Sequence, residues 1–304
     1  MCDLINDPFS YLIMQKIIPH LWFDKEAEEA AEFYVSIFRD AEIKNRVKLR
    51  NTPSGSAVLV ALELFGQEFN LISADPYFKL NPSVSFLVAC DTMGEVDAFW
   101  GELTKRGVVR MGLGEYPFSE KYGWVEDRYG VSWQLMFTRR RGVGRKITPT
   151  LMFVGGVCGR AEEAVNFYAS VFHDAKIGDI LRYGKGVEPD REGTVQHVAF
   201  TLEGQEFAAM DSARMHGFSF NEAISFVVKC ESQGEVDYYW GKLSADPNAE
   251  QCGWLKDKYG LSWQVVPTIM DEMLRDKDDE KITRVTEAFL KMKKFDVEAL
   301  KRAL

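Results

Sequence analysis

The chain spells one phrase twice: GWVEDRYGVSWQ from Gly123 to Gln134 and GWLKDKYGLSWQ from Gly253 to Gln264, identical at eight of twelve positions. A duplication this long commits the polypeptide to building one unit twice. Each copy reads as a short strand, an Asp-x-x-Gly reverse turn and an alternating strand, because Gly130 and Gly260 supply the positive φ that such turns ask for. Beyond the turn Val131, Trp133 and Leu135 share one face, and Ser132, Gln134 and Met136 the other. Gln134 and Gln264 are therefore presented at the same place in two equivalent sheets.

The repetition extends on both sides of the phrase. Lys16 to Phe23 (KIIPHLWF) matches Lys146 to Phe153 (KITPTLMF), an apolar strand in which Pro19 points to an edge or a strand start. Each strand feeds a helix, Ala27 to Phe38 or Ala161 to Phe172, with apolar residues at helical spacing. Three strands follow in each copy. The order then restarts at SVSFLVAC (Ser83 to Cys90) and AISFVVKC (Ala223 to Cys230), followed by the helices GEVDAFWGEL and GEVDYYWGKL. Each repeat thus reads as two β-α-β-β-β modules. Repeat one carries ten extra residues within Thr104 to Tyr122, and Gly112, Gly114 and Pro117 predict a loop there.

The expected organisation is an extension (1–15), a first domain (16–138), a linker (139–145), a second domain (146–267) and a helical tail (268–304). In the tail, Ile282, Val285, Phe289 and Met292 form one apolar stripe, which needs a surface of this chain or of a second subunit. With a net charge of −9 the molecule repels phosphate backbones and anionic membranes, so nucleic acid is an unfavourable partner; no apolar run is long enough to cross a bilayer. The basic run from Arg139 to Arg141 reads as a solvated linker. Five cysteines, none in a C-x-x-C pair, argue against a disulfide scaffold or zinc knuckle, and the absence of a basic leader points to the cytoplasm.

Four such modules with a D-x-x-G-x-x-W-Q hairpin resemble the vicinal oxygen chelate superfamily, which includes glyoxalases, bleomycin-resistance proteins and extradiol dioxygenases. TVQHVAF, EGQEF, FNEAISFVVKC, CGWLKDKYGLSWQVVP and RVTEAFLKMKKFDVEAL are similar to the PhnB-like family labelled 3-demethylubiquinone 3-methyltransferase. The resemblance implies an α+β chain of two tandem glyoxalase-like domains, each of two modules curling a sheet into an open cup, with pairing of modules across repeats as the alternative. It also implies metal-ligand positions at His20, Asn70, Ser85 and Gln134 in repeat one, and Thr150, Ala208, Ser225 and Gln264 in repeat two. One imidazole and no carboxylate make a poor site for zinc, nickel or iron. No tightly bound metal or other cofactor is expected. If metal chemistry were retained, Asp211, Glu63 or Glu203 would have to supply the missing carboxylate.

The residues themselves allow a bland reading beside each functional one. His20 is a lone general base or a buried structural histidine, and His197 a pocket residue or a groove-lining one. Gln134 and Gln264 either orient a polar ligand or satisfy nearby backbone. Trp22, Trp133, Trp263, Phe86, Phe226 and Met152 line a pocket or fill the core. His173 and His216 read as surface residues. VGGVCG (Val154 to Gly159) lies where a nucleotide-binding turn would, but lacks the G-x-G-x-x-G order, and these modules do not build the doubly wound sheet whose glycine-rich turn usually holds S-adenosylmethionine. The leading expectation is a small-molecule-binding protein with His20 and Gln134 as catalytic candidates and Trp22, Asn70, Ser85, Thr150, His197, Ser225 and Gln264 as ligand contacts. Repeat one, which keeps His20 and carries the insertion as a lid, is the favoured pocket. The alternative is a lyase, isomerase or methyl-transfer enzyme, and the assembly is a monomer with an internal pseudo-dimer or a homodimer.

Overall fold

The computed structural model describes residues 15–139, 146–276 and 278–303. The proposed extension except Gln15, and all of the proposed linker except Arg139, lie outside the described residues. Module one contains β1 (Ile17–Phe23), α1 (Ala27–Ile37), β2 (Ala41–Thr52), β3 (Gly55–Leu64) and β4 (Gln67–Ser73). Module two contains β5 (Val84–Cys90), α2 (Met93–Leu103), β6 (Val108–Tyr116), β7 (Ser119–Glu126) and β8 (Ser132–Phe137). Module three follows with β9 (Ile147–Val154), α3 (Ala161–Val171), β10 (Lys176–Arg182), β11 (Val195–Leu202) and β12 (Gln205–Ser212). Module four has β13 (Ile224–Cys230), α4 (Gln233–Leu243), β14 (Trp254–Lys256) and β15 (Ser262–Pro267), and the tail adds α5 (Ile269–Leu274), α6 (Asp279–Phe289) and α7 (Val297–Lys301).

Two expectations need correction here. The ten extra residues of repeat one are strand rather than loop: β6 and β7 form a hairpin whose register shifts around Gly112 and Gly114, where glycine accommodates bulges. Module four, lacking those residues, has a 3-10 turn at Pro247–Ala249 in place of the strand, so its strand count falls one short.

The repeated phrase is held together by its aspartate. Asp127 accepts hydrogen bonds from the backbone of Tyr129 and Val131, from the Trp133 indole at 2.9 Å and from the Tyr34 hydroxyl at 2.7 Å. Asp257 does the same with Tyr259, Leu261, Trp263 and Tyr168. One carboxylate thus closes the turn, fixes the strand that follows and anchors α1 or α3 through the Tyr of the Phe-Tyr pair. Gly130 and Gly260 take φ of +88° and +84°. Helices α2 and α4 start on Thr92 and Ser232, whose side chains accept from the amides of Glu95 and Glu235. Those glutamates reach back to the amides of Asp91 and Glu231, a reciprocal cap.

The strands form two sheets, ordered β14-β15-β13-β1-β4-β3-β2 and β10-β11-β12-β9-β5-β8-β7-β6. Each sheet joins one module from each repeat, so the pairing inside a repeat is not the one adopted. The chain crosses between sheets at 74–83 and returns at 213–223. The crossovers clasp each other reciprocally: the Asn81 amide donates to Ser219 O at 3.1 Å and the Asn221 amide to Lys79 O at 2.9 Å. Both pairings would bury the same strand faces, so hydrophobic pattern cannot choose between them.

Pro19 lies in a central strand, contrary to its edge expectation. The bonds between β1 and β13 fall on even-numbered β1 residues, as in Trp22 N–H to Ala223 O, and the β4 ladder starts at His20. No bond therefore asks for the missing N–H of Pro19. The convex faces pack on the helices around Trp133, Trp263, Phe86 and Phe226, each at most 1% exposed. These four are core rather than pocket.

Candidate functional site

Strand pairing places the implied ligand positions in two separate cups. In the first sheet His20 lies opposite Asn70 on β4 and Ser225 on β13. Gln264 donates to Ser225 Oγ at 3.0 Å. In the second sheet Thr150 lies opposite Ser85 and Ala208, and Gln134 donates to Ser85 Oγ at 2.7 Å. His20 and Gln134, the two catalytic candidates, therefore face different cups and cannot act on one substrate.

The first cup is closed. The row Trp22, Ile72, Leu59 and Val47 crosses the concave face, and the tail residues Met270, Met273, Ile282, Val285 and Phe289 pack over it. An ion pair between Lys229 and Asp271 pins α5 to the same face. His20 is only 4% exposed, its ring 5.3 Å from that of Trp254. Burial pushes its pKa down to about 3, so it is neutral at physiological pH. Its Nδ1 has no hydrogen-bond partner among the described residues. The favoured pocket of the sequence reading is thus filled by the chain's own tail, and the extra hairpin belongs to the other sheet.

The second cup lacks the cover that the tail gives the first: Leu87, Trp124 and Met111 are half-buried, while Gln134 and Thr150 at its centre are buried. Thr148, Leu87, Gln134, Trp124 and Met111 run across its concave face. Met152 and Met210 lie opposite each other on the same face. Gln134 Oε1 accepts from the Tyr122 hydroxyl at 2.7 Å, and the Trp124 indole donates to Ser132 Oγ at 2.7 Å. A short polar ladder, Tyr122–Gln134–Ser85, thus sits in a floor of methionine, leucine and tryptophan. His197 shares this face further out on β11 and is exposed. Around the rim Val108, Phe118 and Leu181 are each more than half exposed. Tyr122 and Trp124 were not singled out from the sequence, although they flank the start of the repeated phrase; repeat two has Cys252 where Tyr122 stands.

Neither set of implied positions fits a divalent transition metal. The second cup offers two hydroxyls, an alanine methyl and an amide whose oxygen already accepts from Tyr122. The first offers one imidazole and no carboxylate. Among the described residues no group of three or more His, Cys, Asp or Glu side chains could hold an ion. The substitutes fail as well: Asp211 is 1% exposed and accepts from the amides of Gly159, Ala161 and Val195. Glu63 pairs with Lys44, and Glu203 accepts from Tyr239 and the His173 amide.

No helix among the described residues is long and apolar enough to cross a membrane. Glyoxalase I from Zea mays has a similar fold at 12% identity, with 84% of this chain and 95% of that chain covered and a TM-score of 0.51. A putative 3-demethylubiquinone-9 3-methyltransferase, the PhnB protein from Bacillus cereus, is 40% identical over 41% of this chain and 100% of its own, with a TM-score of 0.39. No curated protein matches the chain. The pattern of the 3-demethylubiquinone-9 3-methyltransferase family matches residues 15–136 and again 145–266, and the chain belongs to that family as a tandem member.

Proposed function

We propose that the protein is a small-molecule-binding member of the glyoxalase-like fold, acting as a cytoplasmic monomer. Its working site is the cup of the second sheet, which takes a largely apolar molecule with a polar group and uses no resident metal. The observation that carries this reading is the asymmetry of two like faces: one is sealed by α5 and α6, and the other remains open with an apolar rim. A floor of Leu87, Met136, Met152 and Met210 supplies the hydrophobic term, and Gln134, held by Ser85 and Tyr122, supplies one fixed polar contact. Methyl transfer, the activity in the family's descriptive name, is the less favoured reading. The sheets are mixed and curved, whereas the usual S-adenosylmethionine site is a glycine-rich turn in a doubly wound parallel sheet.

A thermal-shift screen of hydrophobic alcohols, phenols and quinols tests the reading. A ligand at a hundredfold excess over its Kd stabilises the folded state by about 2.7 kcal/mol. Leu87→Asp should abolish the shift, and His20→Ala, in the sealed cup, should keep it. A panel with no stabilising compound, or a shift that survives Leu87→Asp, would refute the proposal.

A further inference from the structure

At one end of the open cup the floor continues into a second cavity of about 670 Å³. Val154 and Ser212, opposite each other at the ends of β9 and β12, form the next row beyond Met152 and Met210. Past them the cavity is walled by the glycine turn at Gly155 to Gly159, by the loop carrying Arg191 and Thr194, and by the loop carrying Arg214 and His216. The glycine turn thus lines a site although it lacks the order of a nucleotide-binding loop. His216, read from sequence as a surface residue, is half-buried with its Nε2 2.7 Å from Ser212 Oγ.

We propose that this cavity binds an oxyanion, the phosphate or carboxylate head of the molecule whose apolar part occupies the cup. The proposal rests on the cup reading above and extends it to the charge of the ligand. Arg191 and Arg214 converge from two different loops, and among the described residues neither guanidinium has an ion pair. Arg110 and Arg182, by contrast, are matched by Glu126 and Glu162. Two acids border the cavity and each is held by backbone: Asp190, between the lining residues Pro189 and Arg191, accepts from the Ala213 amide, and Asp211 accepts from three amides beneath the glycine turn. Two unmatched planar donors at a cavity mouth suit bidentate recognition of an oxyanion.

The corresponding place in repeat one is built otherwise. There β2 and β3 run on to a tight hairpin at Asn51 to Gly55, and α6 binds it through Arg50 to Asp279 and Asn51 to Glu287. In repeat two β10 ends at Arg182, and the twelve residues 183–194 form the loop that carries Arg191. One end of the duplicated unit receives the tail, and the other makes a cationic cleft.

Calorimetric titration of the full chain with decanol, decanoate, decyl phosphate and inorganic phosphate tests this. The wild-type protein should bind decanoate or decyl phosphate at least about tenfold tighter than decanol, in line with one charge-assisted contact; which of the two binds better identifies the head. Arg191→Ala/Arg214→Ala, two exposed positions, should equalise the anions with decanol and leave decanol binding unchanged. Equal affinities in the wild type, or a preference that survives the double substitution, would overturn the proposal. If decanol does not bind, or binds Leu87→Asp equally, the cup reading fails; the cleft is then judged on inorganic phosphate, whose binding must be present in the wild type and lost in the double variant.

Discussion

Asp127 and Asp257 show how much one side chain can carry. Each is buried with four donors around one carboxyl group. Desolvation nonetheless pushes their pKa values above the ordinary range, the hydrogen bonds offsetting only part of it. Asp127→Ala strands the Tyr34 hydroxyl, the Trp133 indole and two amides, and should cost about 3–5 kcal/mol in urea unfolding. Tyr34→Phe, which removes one of the four, should cost about 1 kcal/mol. His20 sets a pH dependence of definite sign. Its folded pKa, about 3, lies below the ordinary value near 6.5, so the unfolded chain takes up the proton first and stability falls as pH drops from about 6.5 towards 3. Between pH 7 and pH 4.5 the loss from this group is roughly 2–3 kcal/mol, and His20→Gln should remove that portion of the acid sensitivity in paired unfolding curves. The sequence identified the aspartate as a turn residue. Its grip on the helix tyrosine required two segments about ninety positions apart to be brought together.

Among the elements, the glycines that open the two repeated phrases meet different partners. A Cβ at Gly123 would stand 2.5 Å from the Trp100 ring of α2, and one at Gly253 would stand 2.5 Å from the Phe295 ring of the tail. Gly253 also has a φ of +82°, which costs an L-residue about 1–2 kcal/mol on its own. Gly123→Ala should destabilise the body of the protein by about 1–3 kcal/mol through overpacking. Gly253→Ala should instead loosen the tail, detected as faster proteolytic cleavage within 268–303 with little change in the ligand response of the open cup. The hairpin of β6 and β7 shows where sequence reading stopped short. Glycines and a proline in ten extra residues resemble a loop, but edge strands tolerate bulges, and β7 offered an unpaired backbone edge for β6 to satisfy.

For the whole molecule, the tail decides which of two equivalent faces is available. Removing residues 268–304 should expose Trp22, Leu59, Ile72 and Val47 together. The expected outcomes are a lower Tm, stronger binding of a hydrophobic dye, and either self-association or a second, independent binding event in titrations. A truncated chain with unchanged Tm and dye binding would show that the tail does not seal the first cup. The apolar stripe of the tail was legible from Ile282, Val285 and Phe289 at helical spacing. Its docking surface was not, because the concave face it covers is assembled from β1 to β4 and β13 to β15, the two ends of the chain.

The sequence by itself determined the duplication, the module order, and the facing of Gln134 and Gln264. Those features depend on local periodicity and on side-chain chemistry, which travel with the residues. Only the tertiary structure decided that modules pair across repeats, that His20 and Gln134 stand in different cups, and that one cup is closed and the other open. Strand alternation specifies which face a residue occupies but not which strand lies beside it, and the pairings of β1 with β13 and of β5 with β9 that join the repeats exist only in the folded chain.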